Sequence, residues 1–229
     1  TLDTLGLHWD DEVDYQSLHI SEYEEALADL VTQHKVYRCE CSRKNLSQVY
    51  AKTCRHTSIS LQTPHALRLL VDDQHICFYD HLQGTIEQHV ATRYGDFILK
   101  RKDAIIAYAF AVVLDDARQG ITDVVRGLDL LDETPKQRYL QYCLNLPMLN
   151  YCHVPILVDQ RGKKLSKTTL ASAVDLSSPS NTLRQLLMWL NQHPPRELEH
   201  APVVDVLAWA IACWDRTKLS GISSISLAL

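Results

Sequence analysis

"GITDVVRG", residues 120–127, reads as a β-strand with a glycine at each end. "TPKQRYLQYCLNL" (134–146) follows it, with Thr134 placed as N-cap and Pro135 at the first helical position, so a helix is predicted there. Upstream, "IIAYAFAVVLDDA" (105–117) is a buried helix or strand by composition. This alternation of strand and helix predicts half of a parallel α/β sheet. In such sheets the C-terminal ends of the strands present side chains to a ligand crevice, and Arg126 stands at such an end. An arginine there can grip a carboxylate with two parallel hydrogen bonds. The plainer reading is an ion pair with Asp123 or Asp129. Tyr108 is a polar tip within an apolar segment, which also describes a core tyrosine with a satisfied hydroxyl.

Downstream, the apolar run "HVPILV" (153–158) leads into "GKKLSKTT" (162–169), which gathers Lys163, Lys164 and Lys167 on a Gly-containing loop. Such a loop after a buried strand can set two ammonium groups, Lys164 and Lys167, on a triphosphate, with Ser166, Thr168 and Thr169 adding hydroxyl donors. The competing reading is a solvated basic loop. Beyond it "NTLRQLLMWLNQ" (181–192) and "VVDVLAWAIACW" (203–214) have helical spacing and are joined by a Pro-containing link.

Towards the N-terminus, "SEYEEALADLVTQH" (21–34) opens with Ser21 and Glu24 in capping-box spacing and carries apolar residues at helical intervals. Between 65 and 101 the short runs "ALRLLV", "ICFYD", "GTIEQHV" and "FILKR" predict a small antiparallel group. Residues 36–101 read as an insertion carrying the cysteines. Within it, "YRCECSRKNLSQVYAKTCRH" has an extended Cys39-x-Cys41 that points both sulfurs one way, and Tyr50 and Cys54 share a face if the segment is helical. Three thiolates suit sulfur-rich tetrahedral coordination of Zn²⁺, with Tyr50 or His56 as fourth ligand. Generic zinc chemistry favours the histidine. Three buried free cysteines are the plainer alternative.

Composition narrows the field. The chain of 229 residues is 46% hydrophobic and 22% charged, as an ordinary globular protein is. No apolar run approaches the roughly 20 residues that span a bilayer, and a cytoplasmic setting is expected. Seven cysteines, an odd number with three in one segment, argue for a metal site over a disulfide framework. A net charge of −5 excludes a general nucleic-acid footprint, yet Lys35, Arg38, Arg43, Lys44, Lys52 and Arg55 face only Glu40 between residues 35 and 55, a local patch for a polyanion.

As a set the motifs resemble the class I aminoacyl-tRNA synthetases. "KLSKT" is similar to the KMSKS motif, and "LKRKDAIIAYAFAVVLDD" and "GITDVVRGLDLL" resemble segments around the active-site tyrosine of glutamyl-tRNA synthetases. The nearest likeness is to the short glutamyl-queuosine tRNA(Asp) synthetase branch. The metal segment, "KLSKT" without a following arginine, and an end about 60 residues later, on the scale of a small domain, carry that likeness.

The resemblance implies a Rossmann-like α/β catalytic domain with a zinc-containing insertion and a short helical C-terminal part. It divides the chain into 1–35, 36–101, 102–170 and 171–229. It implies Cys39, Cys41, Tyr50 and Cys54 as zinc ligands and Tyr108 and Arg126 as glutamate contacts. Lys164, Leu165, Ser166, Lys167 and Thr168 become the ATP loop, with Lys164 and Lys167 in the catalytic role. ATP, with magnesium, would activate glutamate for transfer to the queuosine base of tRNA(Asp), by a monomer. The family's first strand and HIGH motif are expected upstream of Thr1, so the chain as given is expected to be truncated and inactive. An ordinary glutamyl-tRNA synthetase fragment and a non-catalytic zinc-stabilised RNA-binding module remain as alternatives.

Overall fold

The computed structural model describes residues 1–42, 49–165 and 173–227. Of the predicted ATP loop, Ser166, Lys167 and Thr168 lie outside the described residues, as do Arg43 and Lys44 of the basic patch. The first long element is helix α1 (Ile20–Thr32), which buries Tyr23, Leu27 and Leu30. The predicted capping box is absent: His19 takes the N-cap position without a side-chain cap, so Ser21 falls inside the first turn. The His19 ring is instead held between Glu22 and Asp14.

Strand β1 (Val36–Cys39) pairs antiparallel with β2 (Ala66–Leu69), and β2 pairs antiparallel with β5 (Ile98–Lys100). Between these lie β3 (His75–Asp80), β4 (Gly84–His89) and the single-turn helix α2 (Val90–Arg93). The four runs between 65 and 101 are strands as predicted, but they do not form one group. The hairpin β3–β4 instead joins β6 (Asp123–Gly127) and β7 (Asn150–Val154) in a second sheet of order β4-β3-β7-β6, in which β3–β7 and β6–β7 are parallel. The strand read from "GITDVVRG" is therefore an edge of a mixed sheet: two of its three pairings are parallel, as the alternation of strand and helix predicts, and the third, within the β3–β4 hairpin, is antiparallel.

Helices α3 (Tyr108–Arg118) and α4 (Thr134–Leu144) precede and follow β6. Their buried faces, with Phe110, Val113, Tyr139 and Leu140, meet α1 and the first sheet at Leu69 and Leu99 to form the main core. On β6 and β7, alternation puts Val124 and Arg126, with Tyr151 and His153, on one face, and Tyr151 packs there with Phe78 and Leu149. After Pro155, β8 (Ile156–Val158) pairs in parallel with β9 (Ser224–Ser226), which ties the C-terminal part to the strand that precedes the lysine loop. Helices α5 (Pro179–Trp189) and α6 (Val203–Cys213) form a separate small core with Leu5, Leu183, Leu187 and Val206. No helix among the described residues is long and apolar enough to cross a membrane.

Candidate functional site

Arg126 lies next to the C-terminal end of β6, opposite His153 in the parallel register of β7. The guanidinium is held by neutral acceptors. Nε donates to His153 Nε2 at 3.0 Å, and Nη2 donates to Thr134 Oγ1 and Gln137 Oε1, both at 2.7 Å, and more weakly to the Leu130 carbonyl at 3.3 Å. Neither Asp123 nor Asp129 pairs with it, so the plain ion-pair reading does not hold; Asp123 takes the Thr122 hydroxyl and Asp129 takes Lys164. Among the described residues nothing accepts from Nη1. Thr134 explains itself here: it is the first residue of α4, with Glu133 at the cap position, and its hydroxyl is used on Arg126 in place of helix capping.

Behind Arg126 the contacts continue into the sheet. His153 Nδ1 and Asp80 Oδ2 are 2.6 Å apart, and both side chains are wholly buried. Burial by itself would raise the Asp80 carboxyl. The bond from His153 and those from the backbone amides of Gln83, Leu82 and His153 outweigh it and hold the group below its ordinary range. Nothing in the spacing of "FYDHLQG" or "NYCHVP" marked Asp80 or His153; only the strand order β3-β7-β6 aligns them behind Arg126.

Tyr108 opens α3 and is 51% exposed, so it is not a core tyrosine. It lines an open cleft with Leu130, Glu133 and Lys136, and the carbonyl of Leu130 is the one that Arg126 reaches. Lys164 reaches Asp129, the neighbour of Leu130 in sequence. After β8, Asp159 Oδ1 accepts from the amides of Arg161 and Lys163 and forms a tight turn. The backbone of Lys164 then bridges back to Val158, and Leu165 donates to the Leu157 carbonyl. Lys164 Nζ lies 2.5 Å from Asp129 Oδ2, an ion pair that lowers the Asp129 carboxyl. A Cβ at Gly127 would come within 2.5 Å of Asp129 Oδ1 and would displace that side chain from its present place.

The sulfurs of Cys39, Cys41 and Cys54 lie within 4.8 Å of one another. Cys41 and Cys54 are 3.5 Å apart, and the Tyr50 hydroxyl is 3.4 Å from Cys39 and 3.7 Å from Cys41. Edges of this length are those of a small tetrahedron round one ion with metal–sulfur bonds near 2.3 Å. His56 is not part of the metal-competent group found among the described residues. Burial raises the Cys54 thiol, but hydrogen bonds from the Tyr50 hydroxyl, the Glu40 backbone, Cys41 and Cys39 outweigh it and bring it to about 7. Burial, with Cys39 and Cys54 as neighbours, pushes Tyr50 up. The guanidinium of Arg68 stacks 3.8 Å over the Tyr50 ring. A donor set of three sulfurs and one phenol oxygen thus fits a metal.

Residues 1–189 match the family described as tRNA synthetases class I (E and Q), catalytic domain. The chain belongs to this family. Members of the class use ATP. Curated relatives of this synthetase chain include the "Glutamyl-Q tRNA(Asp) synthetase" of Methylococcus capsulatus, 44% identical over 226 residues and covering 96% of this chain and 74% of the relative. Those of Ectopseudomonas mendocina and Neisseria meningitidis bear the same name at 41% and 43% identity, again over 96% of this chain, with 75% and 78% of each relative covered. A solved glutamate tRNA ligase from Elizabethkingia meningosepticum superposes with a TM-score of 0.75 at 17% identity, over 99% of this chain and 55% of that one, and so shares the fold. The chain spans little more than half the length of that ligase.

Proposed function

We propose that this synthetase chain activates glutamate with ATP and transfers it to the queuosine base of tRNA(Asp). The observation that carries the reading is Arg126, fixed by acceptors of the fold through Nε and Nη2, with no acceptor on Nη1 among the described residues. A carboxylate is the ligand that such a group takes best. Glutamate would meet Arg126 Nη1 with Tyr108 at the side of the cleft, and ATP, accompanied by magnesium, would lie along residues 164–168. Lys164 and Lys167 then neutralise charge that grows on the departing pyrophosphate, so they act more on the rate than on ATP affinity. The fold would contribute positioning and charge stabilisation, with no protein nucleophile.

The metal is taken as zinc, held by Cys39, Cys41, Cys54 and Tyr50. With no open position, zinc there supplies folding free energy and no chemistry. We further take the protein to act as a cytoplasmic monomer. The name borne by relatives at 40–44% identity supports the queuosine acceptor over an ordinary tRNA 3′ end. The deciding experiment is transfer of labelled glutamate by the full-length gene product to tRNA(Asp) with and without queuosine. Labelling confined to queuosine-bearing tRNA supports the reading, and equal labelling of both removes it.

A further inference from the structure

Arg126, His153 and Asp80 come from three neighbouring strands, β6, β7 and β3, and form an unbroken line of hydrogen bonds into the core. The partners fix the protons along it. Arg126 Nε can only donate, so His153 Nε2 must accept; the Thr134 hydroxyl, 3.1 Å from the same nitrogen and 3.4 Å from the Leu130 carbonyl, has one proton to give to either. The single ring proton is therefore on Nδ1, given to Asp80 Oδ2. Asp80 is itself fixed, because its Oδ1 accepts from the amides of Leu82 at 3.0 Å and Gln83 at 2.9 Å. With Thr134 and Gln137 holding Nη2, the guanidinium plane has no remaining rotation.

We propose that Asp80 and His153 are positioning residues for amino-acid recognition: together they set the tautomer that keeps Arg126 oriented with Nη1 toward the substrate carboxylate. The inference rests on the reading of Arg126 given above. A merely structural role would ask only that the buried pair be hydrogen-bonded in some way. A positioning role asks for one tautomer, and the two can be separated by an isosteric change.

In Asp80→Asn the amides of Leu82 and Gln83 keep the side-chain oxygen where Oδ1 is now, and the His153 amide, 3.2 Å from both carboxylate oxygens in the unaltered protein, can stay with that oxygen. The new amide nitrogen must then face His153 Nδ1. A donor in that place makes Nδ1 the acceptor, moves the ring proton to Nε2, and sets it against the Arg126 Nε–H. The outer contact would be reversed with scarcely a change of shape.

The test uses the full-length gene product, ¹⁵N-labelled at histidine, and glutamate-dependent pyrophosphate exchange. His153 is expected to show a protonated Nδ1 and a bare Nε2, and Asp80→Asn to exchange the two. Glutamate KM should rise about 10- to 100-fold, the scale found when the outer hydrogen-bond partner of a metal-binding side chain is removed, while ATP KM stays as it was. If Asp80→Asn does not fold, the pair His153→Gln and His153→Leu serves instead. The glutamine oxygen can still accept from Arg126 Nε, so it should give a much smaller rise than leucine. A proton on Nε2 in the unaltered protein would overturn the proposal. So would an unchanged glutamate KM in Asp80→Asn, or equal effects of His153→Gln and His153→Leu, where Arg126→Ala raises that KM. If Arg126→Ala itself leaves glutamate use intact, the role given to Arg126 fails, and the proposal falls with it whatever the tautomer.

Discussion

Arg126 has Nε and Nη2 bonded within the fold, and this changes what a substitution there costs. The ammonium of a lysine carries the charge but cannot bond His153, Thr134 and Gln137 in one plane and still meet a substrate. Arg126→Lys is expected to lower kcat/KM for glutamate by about 2–4 kcal/mol, the scale for a desolvated charge that loses its partner geometry. Pyrophosphate exchange against glutamate concentration measures it, and unchanged kinetics would return Arg126 to a structural role. The cysteines give a second test. Cys54→Ser should remove stoichiometric zinc from the purified protein by elemental analysis, whereas His56→Ala should retain it. The reverse pair of results would restore the histidine that generic zinc chemistry favours.

At the scale of elements, "VVRG" and "TPKQRYL" were legible because local chemistry and burial agree there: β-branched residues between glycines make a strand, and Pro135 near a helix start makes a helix. Arg126 could be singled out by its place at a strand end. The line behind it could not, since Asp80 and His153 are neighbours only through the order β3-β7-β6, and strand order is not written in any short window. The same non-local pairing divided the presumed group of four strands. Ser21 failed as a cap because the helix gains a turn position when Ile20 joins it, and the acids around His19 hold the entry. The turn 159–165 offers a prediction at this scale. Lys164 and Asp129 are 47% and 36% exposed, so their ion pair contributes little to stability, about 0–1 kcal/mol. Asp129→Asn should therefore leave Tm within about 4 °C. Gly127→Ala, which crowds Asp129 from its place, should alter ATP use in the same direction as Asp129→Asn. A large loss of Tm in Asp129→Asn would show that the pair holds the turn.

For the molecule as a whole, the joint that matters lies between the cysteine segment and the main core. Arg55, the residue after Cys54, reaches Asp96 with Nε at 2.9 Å and Nη2 at 2.7 Å, and also takes the Val71 carbonyl. Asp96 is wholly buried and also accepts from the Tyr37 hydroxyl and the Val71 amide. Burial alone would raise its carboxyl, yet these bonds from Arg55, Tyr37 and Val71 hold it below its ordinary value. A carboxyl lowered in the folded state stabilises that state above the unfolded value of about 3.9, and this contribution is lost as the pH falls through the folded value. Tm should therefore be flat with respect to this group at neutral pH and decline steeply only below about pH 4. Asp96→Asn leaves Arg55 without its anion in a place where that side chain is only 19% exposed. The expected cost at pH 7 is about 3 kcal/mol, the low end for a broken buried pair, or roughly 6–12 °C in Tm for a chain of this size. The acid decline should become shallower in the same variant, because the group that titrates is gone. Thermal unfolding across pH 3–8 in the two proteins decides the matter: parallel curves would mean that other carboxylates govern the acid limb and that the Arg55–Asp96 joint does not hold the cysteine segment to the core.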